Sequence, residues 1–249
     1  MAYFARANYA YKDRYLLSAS YRREGSSRFG ANSKWGNFPA ASVGWRISEE
    51  SFMPDLAWLT DLKIRASYGV TGNNNLGHNY RSLANMSAQN YILGGNIANG
   101  QILDALANPD LGWEESNQTD IGLDLSMFDN RLIFTAEYYE RITDNMLLSV
   151  EVPVISGFTQ TFSNVGRVEN KGVELALDYK THVRQVNLRG NFNISFNRNK
   201  VLEIFGETDE IWHGGFYSTY NVSRPGRPIG MLTGFRMMGI FNTQLEIDE

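Results

Sequence analysis

Apolar and polar residues alternate with a period of two along much of the chain. Tyr3, Ala5, Ala7, Tyr9 and Tyr11 fall on one side of an extended backbone, with Arg6 and Asn8 on the other. After the polar turn Lys12-Asp13-Arg14 the rhythm returns in Tyr15, Leu17, Ala19 and Tyr21, opposed by Ser18, Ser20 and Arg22. It returns again in Ala41, Val43, Trp45 and Ile47 against Ser42, Gly44 and Arg46. Leu62, Ile64, Ala66, Tyr68 and Val70 then face away from Lys63, Arg65, Ser67 and Thr71. Successive side chains of a strand point to opposite faces, so each run predicts a strand between two unlike surroundings.

Four more runs follow: Thr119 to Met127, Leu132 to Tyr138, Val173 to Tyr179 and Val186 to Phe196, with a last one starting near Met231. The pattern therefore predicts about eight strands and part of a ninth. A helical turn capped by Ser48 is expected within 48–61, and a two-residue hairpin at Asp129-Asn130. Connections alternate in length: shorter at 12–14, 48–61, 129–130 and 180–184, longer at 24–36, 72–114, 141–167 and 198–229. The segment from Gly72 to Glu114 shows no sustained periodicity and reads as a long loop, a kind that is usually functional or disordered.

Short turns on one rim and long loops on the other is the pattern of an outer-membrane barrel. Aromatics add to it. Tyr11, Tyr15, Trp45, Phe128 and Tyr179 fall near the short-turn rim, and Tyr3, Tyr21, Tyr68, Tyr138 and Phe196 near the long-loop rim. Amphipathic rings suit the headgroup levels on either side of an apolar band. A soluble β-sandwich whose apolar faces pack on each other remains the alternative at this point, including a carbohydrate-binding one.

Composition narrows the choice only a little. Mean hydropathy is −0.35, yet a lipid-facing strand shows its apolar side only every second residue, so a window average conceals it. A net charge of −4 gives no electrostatic case for nucleic acid. There are no cysteines, and the three histidines, His78, His182 and His213, are too scattered for a metal cluster. The start, MAYFARANYA, lacks the basic and apolar regions of a signal peptide. The expectation is thus either a cytoplasmic protein or a natural N-terminus further upstream.

No catalytic constellation emerges, and no cofactor site: there is neither nucleophile-elbow spacing nor a Gly-rich phosphate loop between strand and helix. Asp120 with Asp124, and Glu174 with Asp178, share strand faces and could pair or bind a cation; the plainer reading is a polar wall. Arg6, Arg22, Arg46, Lys63, Arg65 and Arg189 bring opposite charge to that wall. Ligand contact is expected in the long loops, where Tyr91, Trp113, Trp212, Phe216 and Tyr217 could stack on sugar or peptide, or could pack the loops together. Gly94-Gly95 and Gly214-Gly215 would give those loops freedom or sharp turns.

Several separated motifs carry a family resemblance. Tyr11-Lys12-Asp13-Arg14-Tyr15, Arg22-Arg23-Glu24-Gly25-Ser26-Ser27-Arg28-Phe29-Gly30 and Gly44-Trp45-Arg46-Ile47-Ser48-Glu49-Glu50 resemble SusC/RagA-type TonB-dependent outer-membrane transporters. So do Leu62-Lys63-Ile64-Arg65-Ala66-Ser67-Tyr68-Gly69 with Thr71-Gly72-Asn73-Asn74, and Asn170-Lys171-Gly172-Val173-Glu174. The resemblance implies an all-β antiparallel transmembrane barrel of about 22 strands enclosing a plug. On that expectation residues 1–249 form part of the barrel domain, with the signal peptide, plug and closing C-terminal strand absent. It also implies TonB-driven import of a glycan or peptide, contact with outer-membrane lipid and a SusD-like surface lipoprotein, and location in the Gram-negative outer membrane. A passive or adhesive barrel is the rival within the same fold.

Overall fold

In the computed structural model, residues 1–234 are described except 104–105, 153, 159, 184–185, 205–209 and 214–220. The alternating runs form β1 (Ala2–Tyr11), β2 (Tyr15–Gly25), β3 (Trp35–Arg46), β4 (Leu59–Asn73), β7 (Glu114–Met127), β8 (Leu132–Glu151), β9 (Gln160–Val183) and β10 (Val186–Ile204). They pair in that order as one eight-stranded antiparallel meander with β1 and β10 at its two edges. Between β4 and β7 the chain makes a separate hairpin, β5 (Met86–Leu93) and β6 (Asn96–Leu103). Beyond β10, three very short strands, β11 (Ile211–His213), β12 (Asn221–Ser223) and β13 (Met231–Leu232), make a small sheet of their own.

Register keeps the two faces separate across the whole meander. Ala7 lies opposite Ala19, Ala19 opposite Ala41, and Ala41 opposite Tyr68. On the other face Ser18 lies opposite Ser42, Ser42 opposite Ser67, and Ser67 opposite Asp120. A slip of one residue would reverse every side chain, so the alternation in the sequence excludes it. The apolar face is uncovered: Tyr9, Leu17, Val43, Ile64, Ile121 and Phe192 are each between 41% and 62% exposed. No second sheet packs on it among the described residues, so the sandwich alternative does not form. Both sets of rim aromatics are exposed on this same face.

The short rim is tightly turned. Lys12 and Asp13 adopt φ of 53° and 54°, and the Arg14 amide donates to the Tyr11 carbonyl over 3.0 Å. The β7–β8 turn has three left-handed residues, Phe128, Asp129 and Asn130, one more than the two-residue signal predicts. A 3-10 turn, Ile47–Glu49, occupies the β3–β4 connection. Ser48 lies inside this turn and does not cap it; its hydroxyl donates to Asp61 Oδ1 over 2.8 Å.

The long rim departs most from the sequence reading. The stretch 72–114, expected to be structureless, contains the β5–β6 hairpin, turned by Gly94 and Gly95 at φ of 59° and 81°. Most of the expected 141–167 loop is strand, because β8 runs on to Glu151 and β9 begins at Gln160. β10 likewise continues past Arg198-Asn199-Lys200 to Ile204. β3 starts at Trp35, taking in Pro39; its ladder with β4 begins only at Ala40, so the missing amide hydrogen is not called for on that side. Of the last run near Met231, the described residues form β13, which pairs with β12. Spanning takes about 9–11 residues per strand, whereas β9 has 24. On the barrel expectation an outward residue need be apolar only within the bilayer, so pairing can continue where the apolar rhythm stops.

Candidate functional site

The polar face of the sheet is a wall of linked charges. Lys63 Nζ contacts Asp124 Oδ2 at 2.8 Å, and Arg65 Nε reaches the same oxygen at 3.4 Å. Arg65 extends further, across β7, and pairs with Glu137 on β8. Gly122 on the intervening strand makes this reach possible: a Cβ there would stand 2.6 Å from the Arg65 guanidinium carbon. Asp120 belongs to a second network one row up, accepting from Ser67 Oγ at 3.0 Å and Gln118 Nε2 at 2.6 Å, with Arg141 Nε donating to Gln118 at 2.7 Å.

The remaining wall residues lie on the same face but apart from this cluster. Arg46 Nε pairs with Asp61 at 3.2 Å near the short rim. Arg6 donates to Asn8 Oδ1 at 3.2 Å on β1, and Arg22 pairs with Glu24 on β2. Asp178 accepts from Asn191, and Arg189 borders the same hollow across β9 and β10. Glu174 faces a groove with Glu137, Tyr139 and Asn197. Asp124 is held by two cations and Asp120 by neutral donors, and no three acidic or imidazole groups are placed to hold a metal among the described residues. Sequence reasoning did not single out Glu137, Gly122 and Asp61. Glu137 and Gly122 were legible only as polar-face positions, since cross-strand register is needed to see that they meet Arg65.

At the long rim a small core ties three connections together. Phe29, Phe38, Leu76, Leu111 and Trp113 are buried against one another. The Trp113 ring lies 4.9 Å from that of Phe29 and 5.1 Å from that of Phe38, and its Nε1 donates to the Lys34 carbonyl at 3.2 Å. Trp113 therefore packs within this core, one of the two readings that the sequence left open for it. Close backbone contact reinforces the join: Gly30 N donates to Leu111 O at 2.9 Å, and a Cβ on Gly30 would lie 1.9 Å from the Pro109 oxygen. Tyr91, in contrast, is 69% exposed on β5, and Trp212 is exposed on β11 with its Nε1 donating to Glu210. Phe216, Tyr217 and Gly214-Gly215 lie outside the described residues.

An open antiparallel meander with an uncovered apolar face, exposed aromatic rows and a charged opposite face is the wall of an outer-membrane-type β-barrel. Residues 1–230 match the family described as TonB dependent receptor-like, beta-barrel, and the chain belongs to that family. It is 41% identical over 239 residues to TonB-dependent receptor P39 of Formosa agariphila, covering 96% of this chain and 22% of that protein. It is 33% identical over 219 residues to TonB-dependent receptor SusC of Bacteroides thetaiotaomicron, covering 86% of this chain and 22% of SusC. Among solved structures it is similar to the RagAB peptide transporter, with a TM-score of 0.81 at 32% identity over 91% of this chain and 24% of that one. The chain thus spans about a quarter of the length of the relatives it matches.

Proposed function

We propose that this chain is part of the barrel wall of a TonB-dependent importer that takes up an oligosaccharide or peptide across a Gram-negative outer membrane. The observation that carries the reading is the two-faced sheet. Its outward face is apolar between two aromatic rows, which suits lipid, while its inward face is a hydrogen-bonded polar wall, which suits water and a plug. Membership of the family and similarity to SusC and to the RagAB peptide transporter support active import over a passive or adhesive barrel.

In this reading the chain binds and positions and does no covalent chemistry. The inner charges, linked to one another, keep the wall wet and offer partners to a plug supplied by the rest of the receptor. Energy comes from the inner-membrane TonB complex acting on that plug. The loop core around Trp113 holds the extracellular connections in place, and exposed Tyr91 and Trp212 are the ring faces offered to a sugar or peptide. A SusD-like lipoprotein on the cell surface is the expected companion.

Deletion of the gene followed by growth on single glycans or peptides tests this. Selective loss of growth on one class, restored by the intact gene but not by one lacking the TonB-contacting segment, is the expected result. Unchanged growth on every substrate, together with altered leakage of small solutes, would instead assign a passive barrel.

A further inference from the structure

The β5–β6 hairpin forms a two-stranded sheet of its own at the long rim, paired with no other strand. Two strands alone are marginally stable in water, and here the stems hold them. Ser82, buried ahead of β5, donates its hydroxyl to the Arg28 carbonyl at 3.1 Å. Its own carbonyl accepts from the Asn108 amide, beyond β6, at 3.2 Å. Leu76 and Leu111 carry the two stems into the loop core. The arm is therefore fixed at its base and bare along its length, with Ile92 and Ile97 near the tip 71% and 73% exposed.

Its edges are open to pairing. Gly94-Gly95 make a two-residue turn, so Leu93 and Asn96 exchange both hydrogen bonds, and every second pair below them does the same. The residues between, among them Ala88, Asn90 and Ile92 on β5 and Ile97, Asn99 and Gln101 on β6, turn their N–H and C=O groups outward. Among the described residues no hydrogen bond reaches these outer groups. Natural sheets protect exposed edges with charge, proline or a bulge. Residues 82–103 contain no charged side chain and no proline, and the ladder runs from Met86–Leu103 to Leu93–Asn96 without a register shift.

Such an edge selects its occupant by backbone. Donors and acceptors recur along it at every second residue, a spacing that another extended peptide matches and a row of sugar hydroxyls does not. With no charge on the arm, an ionic ligand finds nothing to draw it. The 8 residues of β5 span about 26 Å, room for a peptide of similar length. We propose that an outer edge of β5 or β6 captures an uncharged, extended peptide as an added strand, with Tyr91, Ile92 and Ile97 beside its side chains. The proposal rests on the importer reading and makes peptide its substrate class.

The test uses the full-length receptor, purified without any surface lipoprotein and reconstituted in nanodiscs. The probes are an uncharged octapeptide of alternating serine and valine, and the same peptide N-methylated throughout, which keeps the side chains and removes the backbone donors. Calorimetry is expected to show the N-methylated form binding at least about tenfold more weakly. Asn90→Pro/Asn99→Pro removes an outward N–H from each strand and spares the hairpin's own ladder; it should weaken the unmethylated peptide by about tenfold. Asn90→Ser/Asn99→Ser keeps both N–H groups and should bind as the wild type does. Equal affinity for the two peptides would overturn the site, as would equal losses in the proline and serine variants. No binding to the wild type would mean that the rest of the receptor already covers both edges, and would also overturn it. A gene deletion that impairs growth on glycans alone would refute the peptide site and leave import standing, whereas a deletion without effect on any nutrient would refute import itself.

Discussion

Leu17 and Leu111 are the same residue under opposite rules. Leu17 belongs to the middle of the apolar face and is 49% exposed, while Leu111 at the long rim is fully buried. The same division runs through the molecule. All eight buried apolar residues among those described, Phe29, Phe38, Leu76, Leu111, Trp113, Val168, Val201 and Val222, belong to the long-loop end. Three of the four register shifts also lie there, at Thr143/Met146, Met146/Leu147 and Val201/Glu203; the fourth, Leu59/Asp61, is at the short rim. On the proposed membrane reading, lipid replaces water in the band, so apolar side chains need no partner and order comes from the backbone ladder. Beyond the band, water returns, and the loops hold together only by burying rings against one another.

The sharpest way to break this contrast is Trp113→Ala. Removing a buried ring from a core costs about 3–5 kcal/mol, and here the loss should stay local. Limited proteolysis is expected to open the loops at 26–34 and 74–85 while the strands keep their heat-resistant mobility in detergent gels. If the barrel melts together with the loops, the two ends are one cooperative unit and the contrast fails.

Next in size is a pair of neighbours on β3. Val43→Arg places a charge on the lipid face and should destabilise insertion by about 2–4 kcal/mol. Ser42→Arg, one residue away, points at the wall near Asp120 and should cost little. Urea titrations of the receptor folded into bilayers would compare them, and equal costs would deny that the faces meet different media.

How much of this was legible beforehand follows the same division. The strands of the band and their outward rows could be read from alternation alone, because one face of each is almost purely apolar. The upward extensions of β8, β9 and β10 could not, since Glu140, Lys171 and Arg198 end the apolar rhythm at the headgroup level without ending the ladder. The β5–β6 hairpin was missed because apolar and polar residues mix on both of its faces, although Gly94-Gly95 marked its turn. Of the loop aromatics, Trp113 could not be assigned to packing over stacking, because sequence gives no sign that Phe29 and Phe38 converge on it. The wall charges were recognised as a face but not as a circuit, because Arg65 meets Glu137 across a strand, 72 residues on.

That circuit offers a smaller effect. Gly122→Val would drive a side chain into the Arg65 guanidinium, which is flexible enough to swing away but only by leaving Glu137. A cost of about 1–3 kcal/mol is expected. Arg65→Ser in the same chain should recover most of it, because the group that the new side chain obstructs is then gone. Absence of recovery would mean that Gly122 matters for the backbone and not for the path of Arg65.

The smallest effect tests the short rim, where hydrogen bonds take the place of a core. Glu50 accepts from the Tyr15 hydroxyl at 2.6 Å and from Trp45 Nε1 at 3.0 Å, and lies 3.4 Å from Arg14. One carboxylate thereby joins the β1–β2 turn to the β3–β4 connection. The Tyr15 hydrogen bond, followed by that of Trp45, holds its pKa below the ordinary glutamate value. A depressed folded pKa means that the contribution is fully present above the unfolded value and disappears as the pH falls through the folded one. Amide exchange in residues 47–53 should therefore quicken between about pH 6 and about pH 3, after correction for intrinsic rates. In Glu50→Gln that acid-dependent increase should vanish, the turn exchanging faster at both pH values. A wild-type turn equally protected at both would show that backbone pairing alone secures this rim, as it does the band above it.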